Sequence, residues 1–293
     1  MDETASQLEP NETGEEGVLV VVATPLGNLG DLSSRALAML TEADVVFCED
    51  TRRSRTLYAA HGVRAKARLR SLHQHNEAAQ CDEIVARVRA GDVVAIVSDA
   101  GTPGISDPGE RVVAAVARAG LRVSTVPGPS AVVAAVSISG LASERFVMEG
   151  FVPRGARERL ARFEEWDRET RTVVFYESPV RLVRTLGEMA QRWGDRDVCV
   201  VRELTKIHEE VLRGTLARVH QTLEGRDVIG EVVVVLAGAV VAGVDEARVR
   251  AAVRELIDAG TSVRDAVSSV SSRLGVAHRE VYRLALERRA GEQ

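Results

Sequence analysis

The chain has 293 residues, 45% of them hydrophobic, which supplies more than one packed core. No apolar run approaches the roughly 20 residues of a membrane span, and no basic stretch leads into an apolar one at the start, so a cytoplasmic protein is expected. The net charge of −5 is concentrated in residues 1–17, where Asp2, Glu3, Glu9, Glu12, Glu15 and Glu16 stand without Lys or Arg; this reads as a disordered acidic tail, and the remainder is close to neutral.

In chain order, Val18 to Ala23 predicts a strand that ends in the turn Thr24-Pro25-Leu26-Gly27-Asn28. A helix starting near Asp31 or Ser33 carries Ala36, Leu37 and Leu40, and Asp44 to Cys48 is a second strand closed by Glu49-Asp50-Thr51-Arg52-Arg53. Glu77 to Ala90 is amphipathic and leads to the apolar run Val93 to Val97. That run drops into a loop with Asp99, Gly101, Pro103, Gly104, Asp107, Pro108 and Gly109. Glu110 to Ala119 is a helix and Val123 to Val126 a strand, followed by Pro127-Gly128-Pro129-Ser130 and a small-residue helix from Ala131 to about Ser139. The repeated strand–helix unit predicts a parallel, doubly wound sheet over residues 18–140.

Around Gly140–Arg157 a glycine- and proline-punctuated connection leads to a second α/β domain, 141–240. Its expected strands are Thr172–Tyr176, Val198–Arg202 and Glu231–Ala237, the last apolar enough to be central. A helix spans Arg181–Arg192, and Arg213-Gly214-Thr215 reads as a turn; a mixed sheet follows. Residues 244–293 show three helical patterns, Ala247–Ala259, Ser262–Leu274 and Arg279–Arg289. The glycine turn at Gly275 gives helix-turn-helix spacing, either for nucleic-acid contact or as a plain helical cap.

Four loops follow strand C-termini and converge on one rim, where open parallel sheets bind ligands. The loop after Val97 lacks the lysine and G-K-[ST] ending of a phosphate-binding loop and brings carboxylates, so it suits a ligand with positive charge. Glu49-Asp50-Thr51-Arg52 either caps a helix or places a carboxylate beside guanidinium groups that clamp a phosphate. His73 and His75 have no third ligand nearby, and Cys48, Cys81 and Cys199 form no C-x-x-C pair. No metal site is expected, and the thiols read as buried and reduced.

Six segments together resemble a known family: TPLGNL at 24–29, EDTR at 49–52, SDAGTP at 98–103, PGPS at 127–130, FYES at 175–178 and RELTK at 202–206. The chain is similar to the ribosomal RNA small subunit methyltransferase I group of the tetrapyrrole (corrin/porphyrin) methylase superfamily, from about Val18 to Leu286. The resemblance implies a two-domain tetrapyrrole-methylase-like fold with a helix-turn-helix-like C-terminal extension and S-adenosyl-L-methionine held between the α/β domains. It further implies a homodimer and 2′-O-methylation of a cytidine of 16S rRNA near the decoding centre, on free RNA or the 30S subunit. Carried over by motif, the donor site comprises Pro25, Leu26, Asp99, Gly101, Thr102, Ile105, Ser130, Ala131, Tyr176, Leu204 and Gly230. Arg53, His75, Arg154, Lys206, Arg279 and Arg283 are the expected RNA contacts. The segment FVPRGARERL, 151–160, looks shorter than the family's basic linker and offers Arg154, Arg157 and Arg159; the acidic tail has no counterpart.

A ribose hydroxyl is a poor nucleophile until its proton is taken, so a base is expected: Asp50 or Glu177, with Arg52 on an adjacent phosphate. The alternatives are a tetrapyrrole methyltransferase (precorrin or uroporphyrinogen) with the same donor site, for which the helical extension is superfluous, and a DNA-binding regulator with a degenerate sensor domain.

Overall fold

Runs of β-branched residues build the first sheet. In the computed structural model, which describes residues 17–63, 68–240, 246–274, 276 and 278–286, five strands pair in the order β3-β2-β4-β1-β5. They are Val18–Val22 (β1), Val45–Cys48 (β2), Arg68–Ser71 (β3), Val93–Val97 (β4) and Arg122–Val126 (β5), and every pairing is parallel. The expected acidic tail, apart from Gly17, lies outside the described residues.

Both faces of this sheet are covered, as parallel sheets require. The helices are Ser34–Glu42 (α1), Thr51–Ala60 (α2), Glu77–Arg89 (α3) and Glu110–Arg118 (α4). Val20, Val22 and Val46 pack with Met39 and Leu40 of α1 on one face. Leu19, Phe47 and Ile96 meet Ile84, Val88, Val112 and Val116 of α3 and α4 on the other. Each such buried side chain contributes about 1.5–3 kcal/mol relative to exposure. Ser33 starts α1 by accepting the Ala36 N–H on its hydroxyl at 3.1 Å, and Asp50 caps α2 in the same way from the Arg52 N–H at 2.8 Å.

The second sheet runs β6-β7-β10-β8-β9, from Phe146–Phe151 (β6), Thr172–Glu177 (β7), Asp197–Arg202 (β8), Glu210–Thr215 (β9) and Val232–Leu236 (β10). Only β6 and β7 are parallel, so the sheet is mixed, and the all-valine-and-leucine β10 sits in its centre, fully buried. Helices Ala156–Trp166 (α6), Pro179–Trp193 (α7) and Leu216–Leu223 (α8) cover one face with Phe163, Trp166, Leu182, Leu186 and Leu216. The other face is covered by Ala131–Ser139 (α5), whose Val132, Ala135 and Val136 pack on Val174, Cys199, Val201, Val233 and Val235. The helix that ends the first half thus packs against the second sheet, and both sheets belong to one compact unit, Met1–Gly238.

Two expectations fail here. Arg213 to Thr215 is the end of β9 rather than a turn; Thr215 caps α8 by accepting the Arg218 N–H on its hydroxyl. The connection at 140–157 contains β6, hidden in the sequence by Gly150, whose φ of +69° accompanies a register shift between Met148 and Phe151. The second unit, Ala239–Gln293, holds Glu246–Asp258 (α9), Val263–Leu274 (α10) and His278–Leu286 (α11) around Val249, Val253, Val267, Val270, Val281 and Leu284. No helix among the described residues is long and apolar enough to cross a membrane.

Glu77, 6% exposed at the start of α3, fixes the start of α4: one carboxylate oxygen accepts the N–H groups of Gly109 and Arg111, each at 2.9 Å. Glu77→Ala strands both donors and is expected to lower unfolding free energy by about 2–3 kcal/mol in denaturant titration, with Glu77→Gln, which keeps an acceptor, costing less.

Candidate active site

The C-terminal ends of β1, β2, β4 and β5 point to one rim, and side chains stitch their loops together. Thr24 and Gly101 exchange both backbone hydrogen bonds, at 2.8 and 3.0 Å, while the Thr24 hydroxyl donates to the Ser98 carbonyl at 3.1 Å. The Asp50 N–H donates to Asp99 Oδ1 at 3.0 Å, and the Thr102 hydroxyl donates to the Pro129 carbonyl at 3.0 Å. All four loops are therefore held through residues 98–102. Gly101 has φ of +81°, a conformation that favours glycine, and a Cβ there would press on the Leu26 side chain at 3.1 Å.

Between this rim and the edge of the second sheet lies a cleft with two adjoining lobes. The larger, about 470 Å³, is lined by Gly101, Thr102, Ile105, Ser106 and Asp107 from the β4 loop and by Ser130 and Ala131 before and in α5. The second sheet adds Phe151, Tyr176, Gly230 and Glu231. The smaller, about 270 Å³, is lined by Thr24 to Gly27, by Ser54, Thr56 and Leu57 of α2, and by Ser98 and Lys206. Leu26, Arg53, Asp99, Ala100 and Glu231 line both.

Carboxylates crowd the larger lobe. Burial first, then the neighbouring Glu49 and Asp99, push Asp107 up to about 6, and burial with Asp99 also raises Glu49. Burial pushes the Tyr176 hydroxyl up to about 12, so it stays protonated at neutral pH. The cations at the cleft are engaged: Arg53 reaches Asp99 Oδ2 at 3.3 Å, and the Lys206 ammonium bonds Glu203 at 2.8 Å and Glu231 at 3.0 Å. Burial works against the Lys206 charge, but those two carboxylates outweigh it and raise the ammonium's pKa. Among the described residues, three other than glycine have left-handed backbones, Ser106, Glu203 and Thr205, and all lie in loops at this cleft. Among the described residues no cluster of His, Cys, Asp and Glu could hold a metal ion.

Of the eleven expected donor-site residues, ten line the cleft: Pro25 the smaller lobe, Leu26 and Asp99 both, and Gly101, Thr102, Ile105, Ser130, Ala131, Tyr176 and Gly230 the larger. Leu204 does not; it packs beneath with Ala131, Tyr176 and Val211. The expected catalytic residues stand differently. Asp50 and Arg52 line neither lobe: they form an ion pair at 2.7 Å, and the Arg52 hydrogen bonds hold the Asp50 carboxyl down at about 2. Glu177 has a fully buried side chain whose oxygens accept from the Ser178 N–H at 2.6 Å, the Arg181 guanidinium at 2.5 Å and the Thr185 hydroxyl at 2.7 Å. Glu177 lines the larger lobe, and its carboxylate, taken up by these three donors, anchors the start of α7.

Arg53 and Lys206 lie in the cleft, whereas His75 and Arg154 are exposed away from its lining. Arg159 is a structural residue: it is 4% exposed, pairs with Glu188 at 2.6 Å and donates to the carbonyls of Pro153 and Arg154. In the second unit Arg279 is exposed and Arg283 bonds Glu246 at 2.9 Å. Glu49, Ser106, Asp107, Phe151 and Glu231 also line the larger lobe, beyond the residues expected from the sequence. Glu231 directly follows the named Gly230, and Asp107 and Glu49 are the acids of two rim loops; those adjacencies were the available signal.

Residues 18–220 match the family model for Tetrapyrrole (Corrin/Porphyrin) Methylases. A Ribosomal RNA small subunit methyltransferase I of Mycobacterium tuberculosis (strain CDC 1551 / Oshkosh) is 44% identical over 275 residues, covering 93% of this chain and 96% of that protein. One from Thermotoga maritima is 43% identical over 222 residues, covering 76% of this chain and 99% of its own length. Among solved structures, the methyltransferase CobJ (TM-score 0.57, 20% identity, 76% of this chain and 95% of that one) and diphthine synthase (TM-score 0.57, 17% identity, 75% and 89%) share the fold. With a family match over most of the two-sheet unit and relatives above 40% identity along nearly all of the chain, this protein belongs to the tetrapyrrole methylase family and, within it, to the ribosomal RNA small subunit methyltransferase I group.

Proposed function

We propose that this protein is an S-adenosylmethionine-dependent methyltransferase that methylates the 2′-oxygen of a cytidine ribose in 16S rRNA, acting in the cytoplasm as a homodimer on the RNA or the 30S subunit. The observation that carries the reading is the match to the Mycobacterium tuberculosis relative along 93% of the chain. The likeness to enzymes such as CobJ reflects fold alone and leaves the tetrapyrrole alternative without a supporting observation of its own.

The cleft suits such a donor. A sulfonium is a cation, and Glu49, Asp99 and Asp107 line the larger lobe. When bound, the donor supplies an electrophilic methyl group. Asp99 and Asp107 offer charge compensation, Gly101 lets the backbone approach closely, and Ser130, Ala131, Tyr176 and Phe151 supply a mostly apolar wall. The chain's contribution is alignment of donor and acceptor in a pocket stitched rigid by its own loops. Arg52, 85% exposed on its side chain, and Arg53 at the cleft are placed to meet RNA phosphates.

Three outcomes test this. Mapping of 2′-O-methyl groups in 16S rRNA from cells with and without the protein is expected to show one cytidine whose modification vanishes; unchanged maps refute the reading. Asp107 supplies a pH signature. Its pKa of about 6 means it is protonated in the empty cleft below that pH, and a cationic ligand favours the ionised form. Donor affinity measured by calorimetry is therefore expected to rise between pH 5 and 7 and level off above. S-adenosylhomocysteine, neutral at sulfur, follows this trend weakly, and Asp107→Asn flattens it. Removal of residues 239–293 is expected to leave donor affinity unchanged and to weaken binding of the RNA substrate about tenfold or more, in line with the loss of several basic contacts.

A further inference from the structure

Among the described residues, five line both lobes, and a group that takes a proton from an acceptor facing the donor belongs at that boundary. Two of the five are carboxylates. Asp99 has both oxygens committed, Oδ1 to the Asp50 N–H at 3.0 Å and Oδ2 to Arg53 at 3.3 Å. Glu231 is different: its side chain is 62% exposed, Oε2 accepts from Lys206 at 3.0 Å, and Oε1 accepts from no described group. Arg53, the remaining charged residue of the five, carries a guanidinium already engaged with Asp99 and offers only hydrogen-bond donors.

We propose that Glu231 is the catalytic residue that receives the proton of the acceptor hydroxyl, with Lys206 as the positioning residue that holds its carboxylate at the junction of the lobes. The assignment rests on the methyl-transfer reading above and names the base that reading requires.

The surrounding backbone is built to keep Glu231 in place. The Glu203 N–H donates to the Glu231 carbonyl at 2.9 Å, and the Glu231 N–H donates to Glu203 Oε1 at 2.9 Å. Glu203 and Thr205 hold left-handed φ values of 51° and 66° without being glycine, strain of the kind that marks functional loops. Gly230, at φ of +94°, has no room for a Cβ beside the Glu203 side chain. The Lys206 stem crosses directly over Gly27, where a Cβ would collide with it, and Thr205 Oγ1 accepts the Asn28 N–H at 3.2 Å. Lys206 thereby ties the first-sheet rim to Glu231. Its ammonium stays charged beside two carboxylates, which makes it a hydrogen-bond donor and leaves proton acceptance to Glu231.

In the balanced step the acceptor oxygen bonds to the methyl carbon and the carbon–sulfur bond breaks, its electron pair remaining on sulfur. The hydroxyl proton passes to Glu231 Oε1 and from there to solvent. One sulfonium charge disappears and one proton is released, so no further reactant is needed.

The test compares the full-length wild type with Glu231→Gln, Glu231→Asp, Lys206→Met and the Glu231→Gln/Lys206→Met pair. Transfer of a labelled methyl group to 16S rRNA, free and as 30S subunits, is followed at saturating donor, and donor affinity is measured separately by calorimetry. Glu231→Gln is expected to lose about 10²- to 10⁴-fold in rate while donor affinity and substrate KM stay within about threefold. Glu231→Asp recovers part of the rate, and the double variant is no slower than Glu231→Gln, because Lys206 acts through the carboxylate. A Gln variant within threefold of wild type, or a loss matched by lost donor affinity, overturns the assignment alone. Wild-type protein that methylates no 16S rRNA in either form overturns the reading beneath it, and the assignment with it.

Discussion

The cleft depends on one constraint, the immobilisation of the loop that follows β4. Thr24, Asp50, Pro129 and Glu77 each bond it or its following helix, from four different elements, at distances of 2.8–3.1 Å. A glycine-rich loop left to itself would spend its conformational freedom against any ligand, since ordering each residue costs about 1–2 kcal/mol on binding. Here that ordering is done during folding. The buried Glu77 carboxylate is the inner end of this arrangement and the Thr24–Gly101 bridge its outer end, so the acids Asp99 and Asp107 are presented from a fixed backbone.

Charge follows from that placement. Acids are concentrated in the larger lobe, and the nearby cations are already paired with them, Arg53 with Asp99 and Lys206 with Glu203 and Glu231. Burial first, and then repulsion among these acids, makes Asp107 and Glu49 hold protons above the ordinary carboxylate range. The cleft thus carries concentrated negative charge, which a cation offsets. A nucleotide phosphate would aggravate it, which separates this rim from the phosphate-binding loops of other doubly wound sheets.

The elements that sequence reasoning finds are those whose burial is uniform. β1, β4 and β10 are apolar throughout because both of their faces are covered, and their loops carry the turn residues that give the site away. The elements it misses have mixed surroundings. β3, RLRS, is an edge strand with little burial, β6 is broken by Gly150, and β9 hides behind Arg213-Gly214. Among site residues, the cleft lining was legible through the motifs that carry the family resemblance, ten of whose eleven carried-over positions meet there. Acid–base roles were not, because a carboxylate's role is set by its partners. Glu177 and Glu231 each close or open a strand at the same cleft, yet three donors saturate the first and one lysine holds the second.

The helical unit stands apart from this logic. The Thermotoga maritima relative is matched over 99% of its length by 222 residues, the same length as residues 17–238 of this chain, so it has no room for an additional piece of some fifty residues. The stitched loops, the acid-lined cleft and the Lys206–Glu231 pair all lie within the two-sheet unit. The helices α9–α11 line neither lobe, and their core of Val249, Val253, Val267, Val270 and Val281 closes on itself. The helix-turn-helix spacing is therefore a question about that unit's own surface, separate from the cleft, because no residue of α9–α11 lines either lobe.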